Sequence, residues 1–266
     1  MRRLLALVSL AGCDIVLGLE ENPRGPDNAL ESATHDEDGD DTPDRFDLCP
    51  HVPVPQTDVD GDGIGDDCDP RPTTADVRYF FAFEGGHVGI LQATGTHVKE
   101  MDAIVLGLVD DEASLVLDVA TGTADIEADV TIVKMPPLYA GAYAEVGLFS
   151  VHRRFTSDHK ERGDNCFFGT DMGIPDPSFL EFNNDDRPLD QYEVRFPGSV
   201  ADVHGTFTHA RTPEQMRCSF SRSNGTNHAD GGPHENAPRD LTGKVAVTTH
   251  LMAVRFAYLW VVTPRP

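Results

Sequence analysis

Ala124-Asp125-Ile126-Glu127-Ala128-Asp129-Val130-Thr131-Ile132-Val133 is the stretch that decides the fold. Its apolar members Ile126, Ala128, Val130 and Ile132 recur at every second position, with Asp125, Glu127, Asp129 and Thr131 between them. A period of two puts alternate side chains on opposite faces of a strand, so the first set faces a core and the second faces out. Similar short runs lie on both sides, at 77–83, 103–109, 114–119 and 143–152. Further ones follow at 165–170, 178–183, 190–196, 203–209, 216–220, 243–249 and 252–262. No stretch sustains the period of an amphipathic helix. Many short strands at close spacing predict an all-β sandwich or barrel over residues 76–266.

Upstream the texture changes. The chain has 266 residues with 45 Asp/Glu against 21 Lys/Arg, a formal net charge of -24. Eighteen of those acids fall in residues 14–70, accompanied there only by Arg24 and Arg45. That balance excludes nonspecific electrostatic binding to nucleic acid or to an anionic membrane face. The chain is still 39% hydrophobic, enough to build a core.

Within the acidic segment two loops share one spacing. With Asp36 and Asp58 as first positions, aspartates fall at positions 1, 3, 5, 9 and 12 of each. They are Asp36, Asp38, Asp40, Asp44 and Asp47, then Asp58, Asp60, Asp62, Asp66 and Asp69. Alternate carboxylates converge on one side of a tight loop, the way hard oxygen ligands surround calcium. Position 7, Thr42 or Ile64, offers a main-chain carbonyl, so its side chain is free to vary. Position 6 wants a positive φ, which Gly63 adopts freely and which Asp41 tolerates better than most residues. Pro50, Pro53, Pro55, Pro70 and Pro72 exclude the long flanking helices of an EF-hand. Ordinary acidic linkers favour Glu and Ser over such Asp-x-Asp-Gly-Asp ladders. Without a cation, neighbouring carboxylates repel by about 1 kcal/mol per pair at about 4 Å even in water. Calcium is therefore expected as the organiser of residues 36–75, not as a catalytic Lewis acid, with an affinity of about 10⁻⁴–10⁻³ M.

With a cysteine near the end of each loop, residues 36–70 resemble thrombospondin type 3 repeats. The resemblance implies structural calcium and a bridge between the cysteines of successive repeats, here Cys49 and Cys68.

The first residues read as an address. Arg2 and Arg3 precede the apolar run Leu4–Leu10, which is too short to span a bilayer and reads, over residues 1–12, as a secretory signal. Leu10-Ala11-Gly12-Cys13 resembles a bacterial lipobox, which implies that the Cys13 thiol is diacylated and becomes the new N-terminus. Acyl chains, at about 0.8 kcal/mol per buried methylene, would hold the protein to a membrane. Asp14 resembles an inner-membrane retention signal of enterobacterial lipoproteins, while other lineages sort differently, so outer membrane, cell surface and inner membrane stay open. Residues 13–35 read as a flexible tether with a reach of about 25 Å. With Cys13 lipidated, Cys166 and Cys218 remain for each other, and an exported chain meets an oxidising compartment that permits both bridges.

Leu241–Val247 followed by Val254–Val262 resembles the closing strands of concanavalin A-like domains. So does the 124–133 strand followed by Glu145-Val146-Gly147-Leu148-Phe149. The resemblance implies a two-sheet jelly-roll sandwich. Its superfamily includes laminin G-like modules, legume-type lectins and laminarinase-type glycosidases.

Function is expected to be that of a calcium-stabilised, membrane-anchored envelope lipoprotein. Its sandwich is expected to bind carbohydrate or a surface protein through loops or a concave face; a purely structural scaffold is the alternative. The glycosidase reading needs two carboxylates about 5–5.5 Å apart for retention. Laminarinase-type enzymes set theirs in a Glu-x-Asp-x-(x)-Glu run, and Asp125-Ile126-Glu127-Ala128-Asp129 has the same-face geometry with the wrong residue types and order. An outward polar strand face explains it more cheaply. Neither Gly-x-Ser-x-Gly nor His-Glu-x-x-His occurs. His204 and His209 lack a ligand-like spacing. Tyr139, Tyr143, Tyr192, Tyr258 and Trp260 are candidate stacking platforms, although the last two alternate within one strand and are expected in the core or on a sheet face. Residues 221–240 read as a long exposed loop. No catalytic residue and no ligand-binding set is assigned.

Overall fold

The alternation at 124–133 becomes β6 (Ala124–Lys134), whose Ile126, Ala128, Val130 and Ile132 are all buried. This computed structural model describes residues 34–83, 90–108, 112–135, 143–154, 161–171, 178–184 and 192–196. It further describes 200, 202–223, 228–230, 234–235 and 243–265. The signal at 1–12, Cys13, the tether up to residue 33, Tyr139 and most of 221–240 lie outside the described residues, as does the side chain of Tyr192.

Before β6 come β1 (Asp76–Phe81), β2 (Ile90–Thr94), β3 (His97–Lys99), β4 (Ile104–Leu106) and β5 (Glu112–Thr121). After it come β7 (Tyr143–Arg154), β8 (Glu161–Asp171), β9 (Ser178–Asn184), β10 (Tyr192–Phe196) and β11 (His204–Arg211). The chain continues through β12 (Gln215–Arg222), β13 (His228–Asp230), β14 (His234–Glu235), β15 (Gly243–His250) and β16 (Ala253–Pro264). No helix occurs among the described residues. Four strands were not foreseen: β2 and β3 carry little apolar alternation, and β13 and β14 lie in the stretch expected as a loop.

Two antiparallel sheets pack face to face as a jelly-roll sandwich. The first runs β13-β12-β11-β6-β16-β4-β3, with β1 also on β16 and β14 also on β12; the second runs β10-β9-β8-β7-β15-β5-β2. The chain's first strand thus pairs with its last, Asp76 opposite Pro264 through Phe81 opposite Leu259. Inward residues of both sheets, among them Leu115, Val146, Phe168, Phe207, Phe256 and Val261, form one apolar core. Each such side chain contributes about 1.5–3 kcal/mol on leaving water. Cys166 of β8 and Cys218 of β12 are disulfide-bonded, which ties the two sheets together. Closing that loop constrains the unfolded chain by about 4 kcal/mol.

Residues 34–75 contain no regular strand and lie on the outer face of the first sheet. Cys49 and Cys68 are bonded. This docking corrects one expectation: Asp125 and Glu127 point away from the core but are half-buried, because the loop segment covers them. Tyr258 and Trp260 belong to the same covered face, not to the core between the sheets.

Candidate functional site

Both aspartate loops close by the same hydrogen bonds, because the same side chains stand at the same positions. The position-1 carboxylate accepts the amides of positions 4 and 6: Gly39 and Asp41 onto Asp36, Gly61 and Gly63 onto Asp58. Position 3 accepts the amide of position 5, and position 5 that of position 7. Position 6 takes the left-handed conformation in both, with φ 74° at Asp41 and 91° at Gly63. An aspartate is among the few side chains that sit there at small cost.

The loops bring together some of the expected carboxylates and set others apart. Oxygens of Asp36, Asp38 and Asp40 lie within 4.8 Å of one another, as do those of Asp58, Asp60 and Asp62. Asp44 and Asp66, at position 9, are not in these groups. Their carboxylates accept the amides of Glu37 and Val59 at 2.8 and 2.9 Å and fasten the loop ends instead. Asp44 is also bound by the His35 ring. At position 12, Asp47 and Asp69 accept the amides of Cys49 and Arg71. Thr42 and Ile64 hold position 7. The sequence did not point to Asp76. This first residue of β1 joins Asp62 and Asp69 in a third group of oxygens within 4.8 Å, all three residues being buried. Its signal was its place, seven positions past Asp69 at the mouth of the first strand.

Several of these oxygens have no donor. Asp47 is fully buried, and its Oδ2 has no hydrogen-bond partner; buried Oδ2 atoms of Asp38 and Asp60 are also unpartnered. A buried acceptor left unmade costs about 1–3 kcal/mol, more when charged. Burial first, then Asp47, Asp40 and Asp36, push the Asp38 carboxyl up to about 6, although the Asp40 amide opposes the shift. Burial likewise pushes Asp69 up to about 6, against the amide of Arg71 and with Asp62, Asp76 and Asp60 adding to it. An all-oxygen set of crowded carboxylates fits a hard divalent cation, which would satisfy these atoms and cancel the repulsion.

Ile64, at position 7 of the second loop, does more than the sequence suggested. Its side chain is buried in a cluster with Phe80, Tyr258, Trp260, Val262 and Cys68 on the outer face of the first sheet. His51 packs into the same place, its ring tilted against that of Trp260 with centroids 4.7 Å apart. Arg71 binds Asp76 at 2.8 Å and Asp125 at 2.7 Å, and Arg78 of β1 donates to the carbonyl of Asp47. Tyr258 donates to Glu127 at 2.8 Å. Asp125 and Glu127 are therefore held in structural contacts. His204 pairs with Asp129 at 2.7 Å.

The outer face of the second sheet carries a different pattern. Cross-strand pairing lines up Glu112, His250, Glu145, Gly169, Phe179 and Arg195 in one row over six neighbouring strands. The next row holds Ser114, Thr248, Gly147, Phe167 and Glu181. His250 meets Glu112 at 3.0 Å and stacks on Tyr143 with centroids 4.7 Å apart. Arg195 lies over the Phe179 ring and 3.5 Å from Asp171. Burial pushes the Glu145 carboxyl up to about 8, and the charges of Glu181 and Glu112 add to the shift. Tyr143, at 48% exposure, is the open aromatic of this face among the described residues.

Two solved structures align with this fold at a TM-score above 0.5. Peanut lectin with a nine-residue peptide aligns at a TM-score of 0.51, 9% identity, 71% of this chain and 97% of that one. The calcium- and mannose-bound VIP36 exoplasmic/lumenal domain aligns at 0.51, 9% identity, 69% of this chain and 88% of its own. The sandwich is a concanavalin A-like fold. A prokaryotic β-1,3-1,4-glucanase (lichenase) from a mouse hindgut metagenome aligns at 0.49, 6% identity, 71% of this chain and 99% of that one. At such identities the likeness is one of fold alone. No family model matches the chain, and no curated protein matches it in sequence.

Proposed function

We infer that the protein is a calcium-stabilised, lipid-anchored envelope lipoprotein whose concanavalin A-like sandwich binds carbohydrate without catalysis. The observation that carries the ligand is the row Glu112, His250, Glu145, Gly169, Phe179 and Arg195, with Tyr143 beside it. Carboxylates, an imidazole and a guanidinium supply hydrogen bonds to hydroxyl groups, and aromatic rings supply flat apolar surface for a sugar face. Asp36, Asp38, Asp40, Asp47 and the Thr42 carbonyl would hold one calcium ion. Asp58, Asp60, Asp62, Asp69 and the Ile64 carbonyl would hold another. The ion supplies charge neutralisation and loop closure there; the ligand row belongs to the opposite sheet. The Asp125–Glu127 pair does not support hydrolysis, because Arg71 and Tyr258 already hold those carboxylates beneath the loop segment. Cys13, after a basic and then apolar leader, carries the anchor.

A glycan array on the calcium-loaded chain tests the ligand. A defined set of glycans is expected to bind, and Tyr143→Ala or Glu145→Gln to weaken that binding at least tenfold. An empty array would leave a scaffold; undiminished binding by both variants would move the site elsewhere. Mass spectrometry of the membrane fraction tests the anchor, and Cys13→Ser is expected to release the protein.

A further inference from the structure

A cavity of about 320 Å³ opens where the second aspartate loop meets the outer face of the first sheet. It lies on the sheet opposite the proposed sugar row and has a wall from each part. Asp67 and Asp69 come from the loop, Asp125 and Glu127 from β6, and His51 and Trp260 close it. The size is that of a small-molecule site, and most of the lining is apolar.

Its chemistry is one-sided. The charged side chains that line it are all carboxylates, so they accept hydrogen bonds and donate none. Of the two histidines that line it, His209 turns its ring towards Ser150 of the facing sheet, while His51 has only 3% of its side chain exposed, and burial with the nearby Arg78 charge keeps His51 neutral, its pKa pushed down to about 3. Its Nε2 lies 3.6 Å from Glu127 Oε1, and its Nδ1 has no hydrogen-bond partner. A proton on Nε2 faces the carboxylate and leaves Nδ1 a further acceptor. Arg71 compensates Asp125, and a loop cation would compensate Asp69. Glu127 meets a neutral tyrosine and a neutral histidine but no lysine or arginine among the described residues. What the cavity lacks is a donor that carries positive charge. Paired across the strands with Glu127 stands the indole of Trp260, whose π system attracts cations; Arg78, outside the cavity lining, already lies over that ring 5.8 Å from its centroid.

We propose that this junction cavity binds an alkylammonium group, with Glu127 as its counter-ion and Trp260 as its aromatic wall. The group belongs either to a free amine or to a lysine side chain of a partner. The site goes beyond the calcium and carbohydrate reading and uses none of the residues of the sugar row. Because Asp67 and Asp69 form one wall, closure of the second loop is a condition for the site.

Trp260 is the chain's single tryptophan, so its emission reports the cavity directly. The calcium-loaded full chain is titrated with cadaverine, with a capped Gly-Lys-Gly peptide, and with 1-pentanol as the uncharged control. A saturable change in emission is expected with at least one amine and not with pentanol. Response to cadaverine alone or to both assigns a free amine; response to the peptide alone assigns a lysine partner. Glu127→Gln keeps an acceptor for Tyr258 and is expected to weaken amine binding at least tenfold. Val52→Phe, which narrows the cavity from its wall, is expected to do the same. No response to either amine, an equal response to pentanol, or undiminished binding by Glu127→Gln and Val52→Phe overturns the proposal. Calorimetry with calcium alone reads the loops independently, so a calcium heat without an amine response sinks this site and leaves the loop reading standing.

Discussion

The Asp62 carboxylate accepts the backbone amide of Asp76, so the fifth residue of the second aspartate loop holds the first residue of the first sandwich strand. Arg71 then binds the Asp76 carboxylate and reaches Asp125 on β6, while Arg78 ties β1 to the Asp47 carbonyl. The loop segment is therefore not a stem beside the sandwich. It is a cap on one face of it, and whatever orders the loops also secures β1 against β16. Loss of loop order would expose Phe80, Tyr258 and Trp260 to water.

Calcium is expected to stabilise the whole chain through this coupling. At about 2 mM calcium and the affinities usual for such extracellular sites, each ion contributes about 0.6–2 kcal/mol. That corresponds to a rise in Tm of about 1–7 °C per site. Scanning calorimetry with calcium and with EGTA checks it. Asp47→Asn, which neutralises the most buried carboxylate of the first loop alone, is expected to remove about half of the calcium-dependent shift. A Tm indifferent to calcium would contradict the metal assignment.

Ile64→Ala is expected to loosen the cap even in saturating calcium. A buried isoleucine cut to alanine costs about 2–5 kcal/mol, according to how far the site collapses. The Ile64 carbonyl stays in place, so calcium affinity should change little while the urea midpoint falls. Water reaching Trp260 should shift its emission to the red. An unchanged midpoint would show that the apolar cluster is not what holds the cap.

The sandwich was legible because its strands alternate cleanly: β6, β11 and β12 each bury every second residue over most of their length. β2 and β3 escaped notice because their residues are mostly exposed and carry no period, and β13 and β14 because they are two or three residues long. The aspartate ruler placed the loops, since position-specific hydrogen bonds repeat wherever the ruler does. It could not show that position 9 fastens the loop end or that Asp76 completes a third group, because both depend on where the chain goes after the loop. The row from Glu112 to Arg195 was invisible for a similar reason. Its members lie on six strands, and only cross-strand register puts them side by side.

Glu145 makes the row from Glu112 to Arg195, the proposed sugar site, sensitive to pH. Its folded-state pKa is raised to about 8 from 4.5, chiefly by burial and then by Glu181 and Glu112. A carboxyl whose pKa is raised on folding stabilises most below its unfolded value, and that contribution fades as pH rises through the folded value. Wild type should therefore lose stability relative to Glu145→Gln between about pH 4.5 and pH 8. Urea midpoints at about pH 6 and pH 9 check this, with the variant gaining on wild type at the higher pH. Facing groups on the neighbouring strands are His250, Glu112, Glu181, Asp171 and Arg195, and they are common to both proteins, so the difference isolates Glu145. Parallel curves would place Glu145 in water with an ordinary pKa.

His209 gives the opposite slope at the other end of the pH range. It is fully buried on β11, its Nε2 2.9 Å from the Ser150 hydroxyl of the facing sheet and its Nδ1 3.3 Å from the Arg217 carbonyl. Arg211 and Asp164 pair beside it at 2.6 Å. Burial is the largest cause lowering its pKa, to about 4 from 6.5; Arg211 adds to that, while the Arg217 carbonyl and Asp164 oppose it. The unfolded chain binds a proton at His209 that the folded chain refuses. Its contribution is thus present above about pH 6.5 and is lost as pH falls towards and through about 4, a change of about 3 kcal/mol. Carboxylates titrate in the same window, so the measurement is the difference between wild type and His209→Gln. The variant is expected to be less stable at neutral pH, where it loses the inter-sheet contact, and to converge on wild type by about pH 4. A constant gap across that range would mean that His209 takes up its proton as readily folded as unfolded, and that the two sheets have room at this point for a charge.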